Sequence, residues 1–240
     1  MKYENIIYGI FKDRPNRFIA NVHIDGILEK VHVKNTSRCK ELLIPGVKVI
    51  LEDKSYIKSR KTKYSIICVY KRDRIINIDS QAPNEVVYDA LKENKIKDLI
   101  NLDYIKREVT FENSRFDIAF SKDNKSGFLE VKGVTLEENN LARFPDAPTT
   151  RGEKHVLEMI KAVKKGYLGY ILFLIQLEDV DKFYLNWEMD TNFSKAVVKA
   201  KNSGVKILAY DSIVKPDFFI INKQIPIDFT DYRKNKKVRE

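Results

Sequence analysis

Apolar and polar positions alternate in short runs over residues 1–80, which is the pattern of β-strands with one buried face. Asp25-Gly26 and Pro45-Gly46 supply turn signals between the runs, and no helix of ordinary length fits among them. The runs predict five strands, at residues 6–11, 18–24, 27–33, 47–52 and 64–70. Five short strands with a long loop favour a small Greek-key barrel of the OB type over a sandwich.

From residue 81 onward the pattern changes to a mixture of helical and strand spacing. It predicts helices over residues 84–94, 150–165 and 192–202, and strands over residues 104–111, 115–120, 128–134, 170–177 and 205–210. Because strand 170–177 is apolar on both faces, this order predicts a mixed sheet flanked by helices. The predicted fold class is α+β or mixed, with an OB-type barrel over residues 1–80 and a mixed α/β domain over residues 81–240.

Charged residues interrupt the apolar pattern of the hairpin predicted over residues 115–134. Asp117 lies in its first arm, and Glu130 and Lys132 lie in its second. If residues 122–125 form a four-residue loop, Asp117 lies directly across from Glu130. Two carboxylates at cross-strand distance repel each other, so such a pair is typical of a site that binds a cation.

An Asp on one strand and Glu-x-Lys on the next, within a sheet flanked by helices, is the arrangement of the PD-(D/E)XK nuclease superfamily. Carboxylate oxygens suit Mg²⁺ or Mn²⁺, and a Lys on the same strand can stabilise an attacking water or the developing charge on phosphate. The predicted catalytic residues on the hairpin are Asp117, Glu130 and Lys132, with Asp117 and Glu130 as metal ligands. A surface Glu-Lys pair on an exposed strand is the alternative interpretation.

Residues on the flanking helices extend this candidate site. Glu85, in the first turn of the first helix, is a candidate for a further metal ligand, although the helix dipole alone also favours Glu there. Arg151 and His155 are spaced i, i+4 on the second helix and therefore share a face. This spacing makes His155 a candidate catalytic residue and Arg151 a candidate phosphate contact.

The net charge of +10 is unevenly distributed along the chain. Residues 1–80 contain 17 Lys and Arg against 9 Asp and Glu, and residues 233–240 contain five basic residues and one acidic residue. A basic barrel beside a slightly acidic domain suits a polyanion-binding module next to a cation-binding one. The candidate nucleic-acid contacts are Arg14, Arg17, Lys34, Arg38, Lys61, Lys63, Arg115 and Arg151. A basic surface that serves only solubility is the alternative.

Several protein classes are excluded by composition. No run of apolar residues is long enough for a membrane helix, and the first residues do not resemble a secretory leader. Cys39 and Cys68 have no zinc-ligand spacing, so we expect reduced cysteines in a cytoplasmic protein. The sequence does not indicate an oligomeric state.

Ordered motifs through most of the chain resemble those of a known family. They are Arg-Pro-Asn-Arg-Phe at 14–18, Asn-Thr-Ser-Arg at 35–38, Glu-Leu-Leu at 41–43, Pro-Gly at 45–46, Pro-Asn at 83–84, Ser-Arg-Phe-Asp at 114–117, Glu-Val-Lys at 130–132, Val-Thr-Leu at 134–136, Phe-Pro-Asp-Ala at 144–147 and Thr-Arg-Gly-Glu-Lys-His at 150–155. Together they resemble the sugar fermentation stimulation protein A (SfsA) family, although Gly133 stands where that family usually has Ser.

The resemblance implies an N-terminal OB-type domain, a PD-(D/E)XK nuclease-like domain and a DNA-binding protein linked to regulation of sugar use. It places the nuclease-like motif on Asp117, Glu130 and Lys132. We therefore expect largely sequence-tolerant DNA binding with Mg²⁺- or Mn²⁺-dependent phosphodiester hydrolysis. A non-catalytic transcriptional regulator is one alternative, because a nuclease fold can keep DNA binding without catalysis. An RNA-processing enzyme is another, because OB-type barrels also accept RNA.

Overall fold

The computed structural model describes residues 1–35, 37 and 39–233. Six strands form the first sheet, in the order β3-β2-β1-β4-β5-β6, and a parallel pairing of β3 with β5 closes it into a barrel. The strands are β1 Ile6–Asn16, β2 Ile19–Ile24, β3 Ile27–Val33, β4 Lys48–Asp53, β5 Tyr64–Lys71 and β6 Arg74–Asn77. The predicted OB-type barrel is confirmed, and β6 is an addition to it.

Local sequence explains the barrel's turns and its core. Asp25 and Gly26 both have positive φ, at 48° and 82°, which is the conformation that a two-residue hairpin between β2 and β3 requires. Inward-facing residues such as Val22, Val49 and Ile66 are completely buried. The alternation that predicted the strands therefore corresponds to the observed core.

The second part of the chain builds a six-stranded mixed sheet, in the order β15-β14-β12-β9-β8-β7. Helix α1 packs on one face, and α2 and α3 pack on the other. The elements are α1 Ala82–Lys92, β7 Tyr104–Phe111, β8 Ser114–Lys122, β9 Lys125–Val134, α2 Thr150–Lys164, β12 Leu168–Ile175, α3 Thr191–Asn202, β14 Lys206–Lys215 and β15 Phe218–Gln224, with a 3₁₀ turn at Lys97–Leu99. This arrangement confirms the predicted mixed sheet flanked by helices.

A third sheet, which the sequence pattern did not predict, lies beside the other two. Its order is β10-β11-β13-β16, with parallel pairing from β11 through β13 to β16. The strands are β10 Glu137–Glu138, β11 Leu141–Phe144, β13 Lys182–Leu185 and β16 Ile227–Asp228. Strands of two to four residues are too short to show a period, so only their tertiary pairing reveals them.

Buried hydrogen bonds fix the barrel against the mixed sheet. Gln176, which follows β12, donates from Nε2 to the Asn77 side-chain oxygen at 2.9 Å and to the Asn77 and Asp79 carbonyls at 3.1 and 3.2 Å. The predicted boundary near residue 80 falls between β6 and α1, but the barrel does not contain all of the preceding residues. Lys2 forms a bridge with Phe218 of β15, so the N-terminus lies on the mixed sheet.

Within the described residues, no helix is long and apolar enough to cross a membrane. Cys39 and Cys68 are both buried and free, so neither forms a disulfide.

Candidate metal and nucleic-acid site

A tight turn sets the register of the β8–β9 hairpin. Lys122 pairs with Lys125, so the turn contains only Asp123 and Asn124, with φ of 50° and 61°. The predicted four-residue loop is therefore wrong, because both residues tolerate the left-handed conformation that a two-residue turn requires. The predicted register is nevertheless correct, since both turns give the same pairing. Ile118 lies across from Leu129, which places Asp117 and Glu130 at the next position.

Asp117 occupies the point where β8 and β9 separate, because their ladder stops at Ile118 and Leu129. One carboxylate oxygen of Asp117 accepts the backbone N–H of Val131 at 2.8 Å. The other accepts the Nδ2–H of Asn84, from the first turn of α1, also at 2.8 Å. The carboxylate thus replaces a ladder hydrogen bond and is fixed by two donors.

Glu130 is the most buried charged group of the site, with 2% of its surface exposed. Its Oε1 lies 2.5 Å from Nζ of Lys132 and 2.6 Å from Nδ1 of His155 on α2. Its Oε2 is buried and has no hydrogen-bond partner among the described residues. One oxygen is therefore held by two cationic or polar groups, and the other is left for a ligand.

The two carboxyl groups have pKa values that shift in opposite directions. Burial first, and the charge of Glu130 second, raise the pKa of Asp117 to about 6. Burial also acts to raise the pKa of Glu130, but Lys132 and His155 outweigh it and lower that pKa. At neutral pH Glu130 is thus ionised, while Asp117 keeps its proton to a higher pH than an ordinary Asp.

The residues present fit a hard divalent cation. Mg²⁺ is commonly bound through one or two carboxylates together with water and substrate phosphate, so Asp117 and the unpartnered Oε2 of Glu130 suffice as protein ligands. Across the described residues, no group of three or more His, Cys, Asp or Glu side chains converges to hold a metal ion. An ion here would therefore complete its coordination with other oxygens.

The role of Glu85 as a further metal ligand stays a prediction, and a neighbouring residue of α1 makes the contact with Asp117. Asn84 is the α1 residue that contacts Asp117, and Glu85 does not complete a three-ligand group with Asp117 and Glu130. Successive residues of a helix point about 100° apart, so Asn84 and Glu85 project from α1 in different directions. The sequence signal for Asn84 was only its place after Pro83 at the helix start.

Of the other predicted site residues in this domain, two contact Glu130 and two lie exposed on the surface. Lys132 and His155 meet at Glu130, as their predicted site requires. Arg151 is exposed one helical turn before His155, in the first turn of α2. Arg115 is exposed and pairs with Glu108 at 2.7 Å. The phosphate-binding roles of Arg115 and Arg151 stay predictions.

A basic groove lies on the barrel beside the start of α1. It has a volume of about 450 Å³ and is lined by Phe18, His32, Val33, Lys34, Asn35, Arg60, Lys61, Thr62, Ser80 and Gln81. Phe18 is 48% exposed, and the guanidinium of Arg17 lies 5.1 Å from its ring centroid. Gln81, one of the lining residues, immediately precedes α1 and lies about one helical turn from Asn84.

The basic residues of the barrel that were predicted to contact nucleic acid differ in their partners within the protein. Lys61 lines the groove, and Lys63 is exposed near it. Lys34 also lines the groove but pairs with Asp79 at 2.9 Å. Arg14 donates to the backbone carbonyls of Ser37, Arg17 and Asn35, so its guanidinium holds the loop together. Arg38 lies outside the described residues.

Comparisons with known proteins agree with this architecture. Residues 13–78 match the model described as the SfsA N-terminal OB domain, and residues 81–218 match the sugar fermentation stimulation protein RE domain. The chain is 56% identical to a sugar fermentation stimulation protein homolog of Alkaliphilus oremlandii, covering 95% of this chain and 99% of that protein. It is 50% identical to the homolog of Clostridium tetani, covering 93% and 97%.

A solved structure has a similar fold. The structure of Pyrococcus furiosus SfsA in complex with Ca²⁺ is matched with a TM-score of 0.87 and 26% sequence identity, covering 95% of this chain and 98% of that one. The similarity therefore extends over both the barrel and the mixed sheet.

Proposed function

The chain belongs to the sugar fermentation stimulation protein (SfsA) family, and we propose that it binds DNA and hydrolyses phosphodiester bonds at a divalent-metal site on the β8–β9 hairpin. The observation that carries the proposal is the state of Glu130. A buried carboxylate with one oxygen held by Lys132 and His155, and the other without a partner, is costly unless something binds it. A cation satisfies both its charge and its free oxygen.

We infer that Asp117 and Glu130 hold Mg²⁺ or Mn²⁺. A bound ion of this kind would polarise the scissile phosphate and make water a better nucleophile. The Ca²⁺ complex of the Pyrococcus furiosus relative supports an oxygen-ligand site of this type, because Ca²⁺ also prefers carboxylate oxygens. The donor set here contains no thiolate, which favours the same class of hard cation.

Lys132 and His155 have separate roles in the proposed reaction. The ammonium of Lys132 is next to Glu130 and can stabilise negative charge that develops on the phosphate. An ionised carboxylate only accepts hydrogen bonds, so Nδ1 of His155 donates to Glu130, and in the tautomer with its proton on Nδ1 the Nε2 atom is an acceptor. His155 therefore orients Glu130 and offers a position that can accept a proton from water.

The barrel groove supplies the proposed nucleic-acid contact. Exposed Phe18 offers a surface on which a base can stack, and Lys61 and Arg60 offer charge for the backbone. The groove includes Gln81 at the start of α1, the helix whose Asn84 contacts Asp117. A strand bound in the groove is thus led toward the hairpin site.

The test compares wild type with Lys132→Ala and Asp117→Ala on end-labelled single- and double-stranded DNA, with Mn²⁺, Mg²⁺ or EDTA. We expect metal-dependent products from wild type and at least a hundredfold loss of cleavage rate in both variants. Unchanged DNA affinity with no cleavage under any metal would identify a non-catalytic DNA-binding protein. Preferential cleavage of a matched RNA would assign the activity to RNA.

A further inference from the structure

A separate cavity of about 480 Å³ opens at the third sheet, where the parallel strands β13 and β16 end. It is lined by Leu141, Arg143, Tyr184, Leu185, Asn186, Trp187, Glu188, Thr230, Tyr232 and Arg233. Ligands of open parallel sheets bind outside the carboxyl ends of the strands, and sites for small organic molecules have volumes of this size. The cavity thus has the position and size of a ligand site.

Strand register places an arginine beside two aromatic rings on one face of this sheet. Arg143 pairs with Tyr184, and Tyr184 pairs with Asp228, so their side chains lie on the same face. The hydroxyl of Tyr232 donates to Oδ2 of Asp228 at 2.6 Å, and its ring centroid lies 6.2 Å from that of Tyr184. The two rings are therefore held in place before any ligand binds.

Trp187 adds a third aromatic ring and an unused donor. Its indole N–H is buried and has no acceptor among the described residues. Arg233 lies 5.7 Å from the Trp187 ring centroid and is itself held by Asp231 at 2.8 Å and by the hydroxyl of Thr191 at 2.6 Å. Because buried donors nearly always have a partner, this N–H points to an acceptor that a ligand supplies.

Among the described residues that line the cavity, Arg143 is the cation best placed to bind an anion, because Arg233 is already held by Asp231 and Thr191. It is 40% exposed, and it contacts the exposed Glu138 only at 3.6 Å. A long contact between exposed groups contributes little, so the guanidinium can exchange it for a phosphate, which it binds through paired hydrogen bonds. Planar rings, an unpaired N–H donor and a phosphate-binding arginine together match the parts of a nucleotide.

We propose that this cavity binds one nucleotide unit, with the base against Tyr184, Trp187 and Tyr232 and the phosphate on Arg143. The unit is either a free mononucleotide or one nucleotide of a single strand, since both offer the same base and phosphate. Arg143 also lines a small cavity of about 110 Å³ beside Gly133, the residue after Lys132. The cavity therefore lies close to the hairpin strand but shares none of its proposed metal ligands.

The chain has one tryptophan, so intrinsic fluorescence at Trp187 reports directly on this cavity. The experiment titrates wild type with AMP and, separately, with a ten-nucleotide oligodeoxyadenylate. We expect saturable quenching, weakened at least about tenfold by Arg143→Ala through loss of a charged hydrogen bond and by Tyr184→Leu through loss of stacking. Arg107→Ala, an exposed arginine on β7, is the matched control and should leave the quenching unchanged.

The outcomes distinguish a free mononucleotide from a nucleotide of a bound strand, and they show whether the cavity binds either one. Quenching by AMP identifies a free nucleotide, whereas quenching by the oligonucleotide alone identifies a nucleotide of a bound strand. No saturable quenching by either probe, or equal quenching in wild type, Arg143→Ala and Tyr184→Leu, would overturn the proposal. Repeating the titration in Glu130→Gln keeps it distinct from cleavage, because nucleotide binding here should persist when the metal site is disabled.

Discussion

Oδ2 of Asp117 accepts the backbone N–H of Val131 at 2.8 Å, at the position where strands β8 and β9 part. The carboxylate is thereby a structural partner of the neighbouring strand as well as a candidate ligand. Its environment is also unfavourable for a negative charge, because burial and Glu130 raise its pKa to about 6. This combination predicts a measurable dependence of stability on pH.

The stability of the Asp117→Asn variant relative to wild type should increase as the pH rises from about 4 to about 7. In wild type the folded state binds the Asp117 proton more tightly than the unfolded state, so stability falls as the pH rises through this window. The variant lacks this loss, and a two-unit pKa shift corresponds to about 3 kcal/mol of unfolding free energy at most. Asn84 can rotate its amide and accept a hydrogen bond from the new side chain.

Urea denaturation at several pH values measures this effect. Asp123→Asn is the control, because Asp123 lies exposed in the turn of the same hairpin and Asn tolerates its positive φ. Identical pH dependence in wild type and Asp117→Asn would show that Asp117 does not carry the raised pKa.

Asn84→Ala should lower the cleavage rate by about tenfold to a hundredfold. The change removes one of two donors that fix Asp117, and it also removes an interaction that lowers the Asp117 pKa. The acid limb of the pH–rate profile should therefore move to higher pH. Rates measured from pH 5 to about 9 test this.

Glu85→Ala is the matched control for Asn84, since it changes the next residue of the same helix turn. It should keep the wild-type rate and metal requirement, because Glu85 does not join Asp117 and Glu130 in a metal-binding group. If Glu85→Ala lost activity while Asn84→Ala kept it, the assignment of these two residues would be reversed.

Features of this site that depend on residues close together in the sequence could be predicted, whereas features that depend on tertiary packing could not. The β8–β9 register follows from alternation and a short polar turn, so the proximity of Asp117, Glu130 and Lys132 could be predicted from the sequence. The choice between Asn84 and Glu85 depends on the rotation of α1 against the sheet, which tertiary packing sets. Arg14, which the sequence suggested as a nucleic-acid contact, donates to carbonyls of residues up to 23 positions away, and no local pattern reveals these partners.

The third sheet could not be predicted from the sequence for the same reason, and neither could the junction between the barrel and the mixed sheet at Asn77, Asp79 and Gln176. A strand as short as β16 Ile227–Asp228 carries no pattern of its own. The role of Gly133 also depends on residues distant in sequence, because a Cβ there would collide with the side chains of Gln176 and Pro83. The overall fold could be predicted from local patterns, whereas the contacts between its parts could not.

Gln176→Leu should destabilise the protein by about 2–4 kcal/mol. The change leaves the side-chain oxygen of Asn77 and the carbonyls of Asn77 and Asp79 without this donor in a buried junction. Thermal or urea unfolding measures the loss, and Gln224→Leu, at an exposed position on β15, should change stability by less than about 0.5 kcal/mol. Similar small effects from both changes would show that the junction contributes little to stability.

Phe18→Ala should weaken single-stranded DNA binding by about fivefold to a hundredfold, which is the range expected for one lost base stack. Lys61→Ala should weaken binding less and reduce the salt dependence by about one phosphate contact. Fluorescence anisotropy between about 50 and 200 mM salt measures both, with Lys106→Ala on β7 as the control. If six to ten phosphates are bound, wild-type affinity should fall by about 10³- to 10⁵-fold over that range. Salt-independent binding would contradict the basic groove.

The most direct test of the central claim is a Mn²⁺ titration of wild type, Glu130→Gln and Glu93→Gln, with calorimetry for binding and labelled DNA for cleavage. Glu93 is an exposed glutamate paired with Lys95, so its variant controls for the loss of one negative charge. We expect wild type and Glu93→Gln to bind Mn²⁺ and cleave alike, while Glu130→Gln loses at least about tenfold in Mn²⁺ affinity and cleaves no DNA. Equal Mn²⁺ binding and equal cleavage by all three proteins would contradict a metal-dependent site on Glu130.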